Sequence, residues 1–318
     1  MTELDGAERL DPALRAIATT RTDFSFSSIE LTRDPFNERR RAAAEQTGAR
    51  GVQIGDETVP AESPVPVRIY RCGSTPAPVV VYCHAGGFAL GNLDTDHRQC
   101  VELARRGRCT VVSVDYRLAP EHPYPAAFAD ASAVLRWVVA NAGRLGVDPA
   151  RLAVAGSSAG ATLAACLAQA AADGAVPPVV FQLLHQPVLD DRNTPSKQEF
   201  RTSPAFDGEA ADLMWGHYLG ATTAPESAVP ARRPRLDDLP PALITCAEID
   251  PFRDEAVDYA LRLLRAGVSA ELHVFARTCH GFDSLLPDWS TSERLFALQA
   301  HALGSALCET GAGPSALL

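Results

Sequence analysis

Residues 153–165 read AVAGSSAGATLAA. The apolar run Leu152-Ala-Val-Ala155 has the make-up of a buried strand, and the small residues from Ala159 onward suit a helix. Between them stands Gly156-Ser-Ser-Ala-Gly160, a G-x-S-x-G pattern in a strand–turn–helix setting. Three fixed positions recur by chance in roughly one chain in ten of this length, so the setting carries more weight than the letters. A sharp turn there needs glycine at 156 and 160, because a side chain at either position would collide with neighbouring backbone. Ser158 then emerges at a helix N-terminus, either as an exposed nucleophile or merely as the helix cap.

Outward from this turn, apolar runs recur at Val65–Tyr70, Val79–Tyr82, Thr110–Val114, Leu152–Ala155, Val179–Leu184, Ala242–Ala247 and Ala270–Phe275. Helical patterns separate most of them: Gln99–Arg106, Ala126–Asn141, Ser158–Ala172, Arg253–Ala266 and Glu293–Glu309. This alternation predicts an α/β fold, a mostly parallel central sheet with helices on both faces. The first strands have no helix between them, so the leading edge is expected to be antiparallel. Residues 49–189 and 239–310 form the expected core. Residues 1–48 and 190–238 break the alternation and are candidates for a helical cap over the C-terminal edge of the sheet, where open α/β sheets bind ligands; ordinary surface insertions are the alternative. The ending GAGPSALL is expected to fray.

A serine hydroxyl needs a neighbouring base, and the base needs a group to orient it. With the order Ser, Asp/Glu, His, only His273, His280 and His301 lie late enough. His273 falls inside a strand and His301 inside the last helix, which leaves His280, ahead of Gly281. For the acid, Asp250 directly follows the strand Ala242–Ala247, whereas Asp254 falls in a first helical turn and compensates its dipole. The second glycine-rich turn is CHAGGF, residues 83–88, after Pro78-Val-Val-Val-Tyr82. Gly86 and Gly87 there can present backbone N–H groups to a developing oxyanion, with the Ala159 N–H as a third donor; a plain tight turn is the alternative. His84 is read as ordering this loop.

The chain has 318 residues, 46% of them hydrophobic and 21% charged, enough for a sizeable core. A net charge of −10, without basic clusters beyond pieces such as Arg39-Arg40-Arg41, argues against nucleic acid and anionic membranes as partners. The start, MTELDGAERLDPALRA, lacks a basic stretch followed by an apolar one, so a cytoplasmic location is expected. Eight scattered cysteines without C-x-x-C pairs suggest neither a zinc site nor a disulfide framework.

With these residues in view, the chain resembles the hormone-sensitive-lipase-like α/β-hydrolases, also called bacterial family IV esterases. The resemblance runs from about residue 65 to 300 through His84-Ala-Gly-Gly-Phe88, Asp115-Tyr-Arg-Leu-Ala-Pro-Glu-His-Pro-Tyr-Pro125, Gly156-Ser-Ser-Ala-Gly160, Asp250-Pro-Phe-Arg-Asp-Glu255 and His280-Gly-Phe282. It implies the α/β-hydrolase fold with a cap, a Ser158–Asp250–His280 triad, an oxyanion hole from Gly86, Gly87 and Ala159, no cofactor or metal, and hydrolysis of short-chain carboxylic esters. Phe88, Phe206 and Trp215 are candidate pocket walls, an Arg117–Glu121 pair is expected to pin the loop below the site, and homodimerisation is an expectation borrowed from the fold. Two positions depart from the family pattern: Ala85 replaces the first glycine of its HGGG motif, and Ser157 the usual Asp or Thr before the nucleophile. Amide hydrolysis, lactonase chemistry, a biosynthetic lyase or acyltransferase and an idle binding protein stay open as rivals.

Overall fold

Eight strands form one sheet in the spatial order β1-β2-β4-β3-β5-β6-β7-β8. They are β1 Gln53–Val59, β2 Val65–Arg71, β3 Ala77–Cys83, β4 Thr110–Val114, β5 Val147–Ser157, β6 Phe181–His185, β7 Ala242–Ile249 and β8 Ala270–Cys279. The computed structural model describes residues 4–220 and 225–307; the expected end of the last helix at Glu309, Cys308 and the tail GAGPSALL lie outside the described residues. From β4 to β8 every pairing is parallel, while β1 pairs β2 and β2 pairs β4 antiparallel. Strands covered on both faces need apolar residues at successive positions, and β4 and β6 are buried at every one of theirs.

The first strand, β1, has no counterpart among the apolar runs. Its residues Gln53-Ile-Gly-Asp-Glu-Thr-Val59 are mostly exposed or half-buried, because an edge strand with one solvated face needs no apolar run. The opposite edge, β8, is exposed or half-buried at most of its positions for the same reason and runs four residues past the apolar stretch, to Cys279. Val179 and Val180 precede β6 rather than belonging to it.

Because β3, β5, β7 and β8 point the same way, their C-terminal ends deliver His84, Ser158, Asp250 and His280 to one edge of the sheet. Small residues in the helix Ala159–Ala172 bring it close to the sheet, and its first eleven residues are all buried. Residues 4–48 and the described part of 190–238 meet each other beside this edge. The Thr22 N–H donates to the Ala205 carbonyl at 3.0 Å, His217 Nε2 donates to the Phe24 carbonyl at 2.8 Å, and Phe24 meets Phe206 edge-on with ring centroids 5.1 Å apart. Among the described residues no helix is long and apolar enough to cross a membrane.

The later of these segments is pinned to the core by a buried ion pair. Lys197 Nζ lies 2.7 Å from Glu255 Oε2, and both side chains are almost fully enclosed. The ammonium also donates to the Arg192 and Asp190 carbonyls, while Glu255 Oε1 accepts the Leu189 N–H at 2.6 Å. Removing one partner of such a pair strands the other charge and costs about 3–5 kcal/mol, so Lys197→Met is expected to lower stability by that much in urea unfolding. Burial pushes the Glu255 carboxyl up to about 7 against the pull of Lys197. Without the ammonium it rises further: the folded variant then holds a proton that the unfolded chain has released, and this contribution is lost as pH rises through the folded-state value. The deficit of Lys197→Met should therefore be larger at pH 8 than at pH 5.

Candidate active site

Ser158 sits at the turn between β5 and its helix with φ 54° and ψ −121°, a conformation a non-glycine residue adopts only under strain. The surrounding turn holds it there. A Cβ on Gly156 would stand 2.3 Å from the Gly160 carbonyl oxygen, and one on Gly160 would stand 2.0 Å from the Cys83 carbonyl oxygen. Both glycines are thus demanded by backbone approach, Gly160 by contact with the end of β3. The Ser158 N–H donates to the His185 carbonyl at the end of β6, at 2.9 Å.

His280 follows β8 directly and reaches Ser158: its Nε2 lies 2.9 Å from Oγ, in position to accept the hydroxyl proton. On the other side of the ring, Nδ1 donates to Asp250 Oδ2 at 2.8 Å. Asp250 is fully buried, and its second oxygen accepts the Phe252 N–H at 2.8 Å, which fixes the carboxylate in the plane it needs. Phe252 and Phe206 flank the imidazole at 5.3 and 5.5 Å between centroids. The three side chains form one hydrogen-bonded chain from buried carboxylate to hydroxyl, the arrangement that lets an imidazole take a proton from serine while an ion pair develops behind it.

The other sequence candidates lie elsewhere. Asp254 accepts the Ser196 N–H at 2.9 Å and pairs with Arg253, so its carboxylate serves the junction with residues 195–199. His273 packs on Phe275 within β8, and His301 is exposed on the last helix.

Gly86 and Gly87 have φ of 132° and 59°. A Cβ on Gly86 would stand 2.0 Å from the Leu90 carbonyl oxygen, and one on Gly87 2.5 Å from the Phe24 ring. Their N–H groups, like that of Ala159 at the helix start, find no acceptor among the described residues. The loop is anchored by a residue that sequence reasoning missed. Buried Asp96 accepts the Ala85 N–H at 2.8 Å and the Tyr82 hydroxyl at 3.0 Å. Burial pushes its carboxyl up, and the Ala85 N–H pulls it back. His84 stacks on Tyr116 at 4.2 Å, and the Tyr116 hydroxyl donates to the His84 carbonyl at 2.8 Å.

A second set of residues went unread. His185 Nε2 lies 3.1 Å from Asp283 Oδ1, Gln186 also donates to that carboxylate, and Gln186 Oε1 accepts the N–H of Gly281 beside the imidazole. The expected Arg117–Glu121 pair does not form. Arg117 instead bonds Asp130 at 2.8 Å, and Glu121 bonds Arg33 of the N-terminal helix Ile29–Thr47 at 2.7 Å, because the loop turns the two side chains toward different elements.

Ser158, Ser157, His280, Ala85, Gly86 and Gly87 open into a cavity of about 650 Å³ that Phe24, Phe36 and Phe206 also line. Phe88 and Trp215, expected beside Phe206, are not among its walls. Phe88 is fully buried and stacks on Tyr218 at 3.8 Å, with Trp215 packed behind it, so both rings support the loop from the core.

A family profile described as alpha/beta hydrolase fold matches residues 80–284. Esterase LipI of Mycobacterium tuberculosis is 45% identical over 227 residues, 69% of this chain and 71% of that protein. Carboxylesterase NlhH of the same organism is 44% identical over the same shares. The crystal structure of esterase LipW from Mycobacterium marinum superposes with a TM-score of 0.95 at 68% identity, covering 96% of this chain and 99% of that one.

Proposed function

Since the chain belongs to the α/β-hydrolase-fold family, in its hormone-sensitive-lipase-like branch, we propose that it is a carboxylesterase-type serine hydrolase that cleaves short-chain esters through an acyl-enzyme on Ser158. The observation that carries this reading is the chain of 2.8 and 2.9 Å hydrogen bonds from Asp250 through His280 to Ser158, ending in the cavity. Ser158 Oγ attacks the acyl carbonyl as His280 Nε2 takes its proton, and the carbonyl π electrons move onto oxygen. That oxyanion is met by the Gly86, Gly87 and Ala159 N–H groups, which are already oriented and otherwise unpaired. Asp250 stabilises the imidazolium without taking its proton. His280 then protonates the departing alcohol oxygen, the carbonyl re-forms as the acyl-enzyme, and water repeats the sequence to release acid.

Residues 1–48 and 190–238 act in this reading as a cap on the core formed by 49–189 and 239–310. A capped cavity rewards each added methylene with about 0.8 kcal/mol of burial only until it is full. Across p-nitrophenyl esters of increasing length, kcat/KM is therefore expected to fall beyond roughly six to eight acyl carbons, the span an enclosed small-molecule pocket accommodates. A maximum at long chains would overturn the capped-pocket reading. Turnover of N-acetyl amides or lactones in the same panel, without ester turnover, would overturn the reaction class.

A further inference from the structure

Four arginines of the N-terminal segment approach the active-site edge, and two of them are spoken for. Arg21 bonds Asp207 and Glu209, and Arg33 bonds Glu121. Arg39 and Arg40, in the middle of the helix Ile29–Thr47, line the same cavity as Ser158 and make no hydrogen bond or ion pair among the described residues; Arg40 also borders the adjoining hollow lined by Asp94, Asp96 and Asp283. Arg40 is the better placed. It is half-buried, and its guanidinium lies over the Phe36 ring one turn earlier, 5.0 Å from the centroid, which holds the planar group in place.

Two carboxylates approach Arg40 from the elements packed against it, and neither reaches it. Asp96 and Asp283 pull on the guanidinium electrostatically, and burial lowers its proton affinity against that pull. Both are engaged with other donors: Asp96 with the Ala85 N–H and the Tyr82 hydroxyl, Asp283 with His185 and Gln186. A guanidinium offers five donors in a fixed fork that matches a carboxylate. In a cavity whose wall mixes Phe24, Phe36 and Phe206 with hydroxyls and the carboxylates of Asp23 and Asp283, those donors are left for a ligand to engage.

We infer that Arg40 is a specificity-determining residue that receives a carboxylate carried by the substrate, so that the esters this cavity favours are anionic ones such as the hemiesters of short dicarboxylic acids. The inference rests on the ester-hydrolase reading for its reaction but not for its binding site. The carboxylate can sit on the acyl or on the alcohol side of the ester, and the two are separable by experiment.

On the acyl side, kcat/KM for monoethyl glutarate is compared with that for ethyl valerate; on the alcohol side, 3-acetoxypropionate is compared with propyl acetate. Arg40→Gln is expected to lower the anionic-to-neutral ratio in one of these pairs roughly 10- to 100-fold, the worth of a charge-assisted hydrogen bond. Arg40→Lys, which keeps the charge and loses the fork, should fall between. Binding of glutarate itself, followed by calorimetry, should weaken by a similar factor in Arg40→Gln, and this readout needs no turnover. Ratios unchanged in both variants, with glutarate binding equally or to neither protein, would overturn the inference while neutral-ester turnover left the esterase reading intact. Glutarate binding that depends on Arg40, in a protein that cleaves no ester, would uphold the anion site and overturn the reaction instead.

Discussion

Ser158→Ala is expected to lose about 10⁶ in kcat, the scale on which removing a nucleophile from such a unit is measured. The hydroxyl is the only group of the turn placed 2.9 Å from the base, and alanine keeps the Cβ that already tolerates φ 54°, so the fold should survive. The residual rate would come from oxyanion donors and binding alone. Circular dichroism should show native structure, and an organophosphonate should add one label to the parent protein, on Ser158, and none to the variant. A label on another residue, with turnover retained in the variant, would sink the assignment.

The second large effect separates two aspartates four residues apart. Asp250→Asn should cut kcat by about 10⁴, as for other carboxylates that orient a catalytic imidazole. Asparagine fits the site and its amide oxygen can still accept the Phe252 N–H, but an amide NH₂ facing Nδ1 favours the tautomer with its proton on Nε2, where it blocks acceptance from serine. Asp254→Asn leaves that geometry alone. It disturbs the bond to the Ser196 N–H, so its effect should appear as a modest loss of stability with kcat nearly intact. If Asp254→Asn proves the more damaging to turnover, the role given to Asp250 is wrong.

Why Ser158, Asp250 and His280 could be picked from the sequence is a matter of position along the chain. Each directly follows a strand rich in apolar residues, and parallel strands deliver their ends to one edge. The edge strand β1 was illegible for the converse reason: half solvated, it carries Asp56 and Glu57 where a central strand would carry valine. Asp96 lies in a polar turn with no motif, and nothing local marks it as the anchor of the Ala85 N–H. His185, Gln186 and Asp283 meet across 98 residues of chain, a separation no spacing rule covers.

What the sequence determined by itself were the requirements that act on the backbone. Gly156, Gly160, Gly86 and Gly87 are needed because a Cβ would overlap atoms 2.0–2.5 Å away, and only one residue type meets that demand. Parallel strands buried on both faces likewise require apolar runs, so the α/β alternation was written in composition. Only the tertiary structure decided where long side chains end. Arg117 chose Asp130 over Glu121, Phe88 and Trp215 went beneath the loop rather than into the cavity, and Arg40 was left facing the cavity unpaired. Where each of these side chains ends is decided by packing between elements distant in sequence.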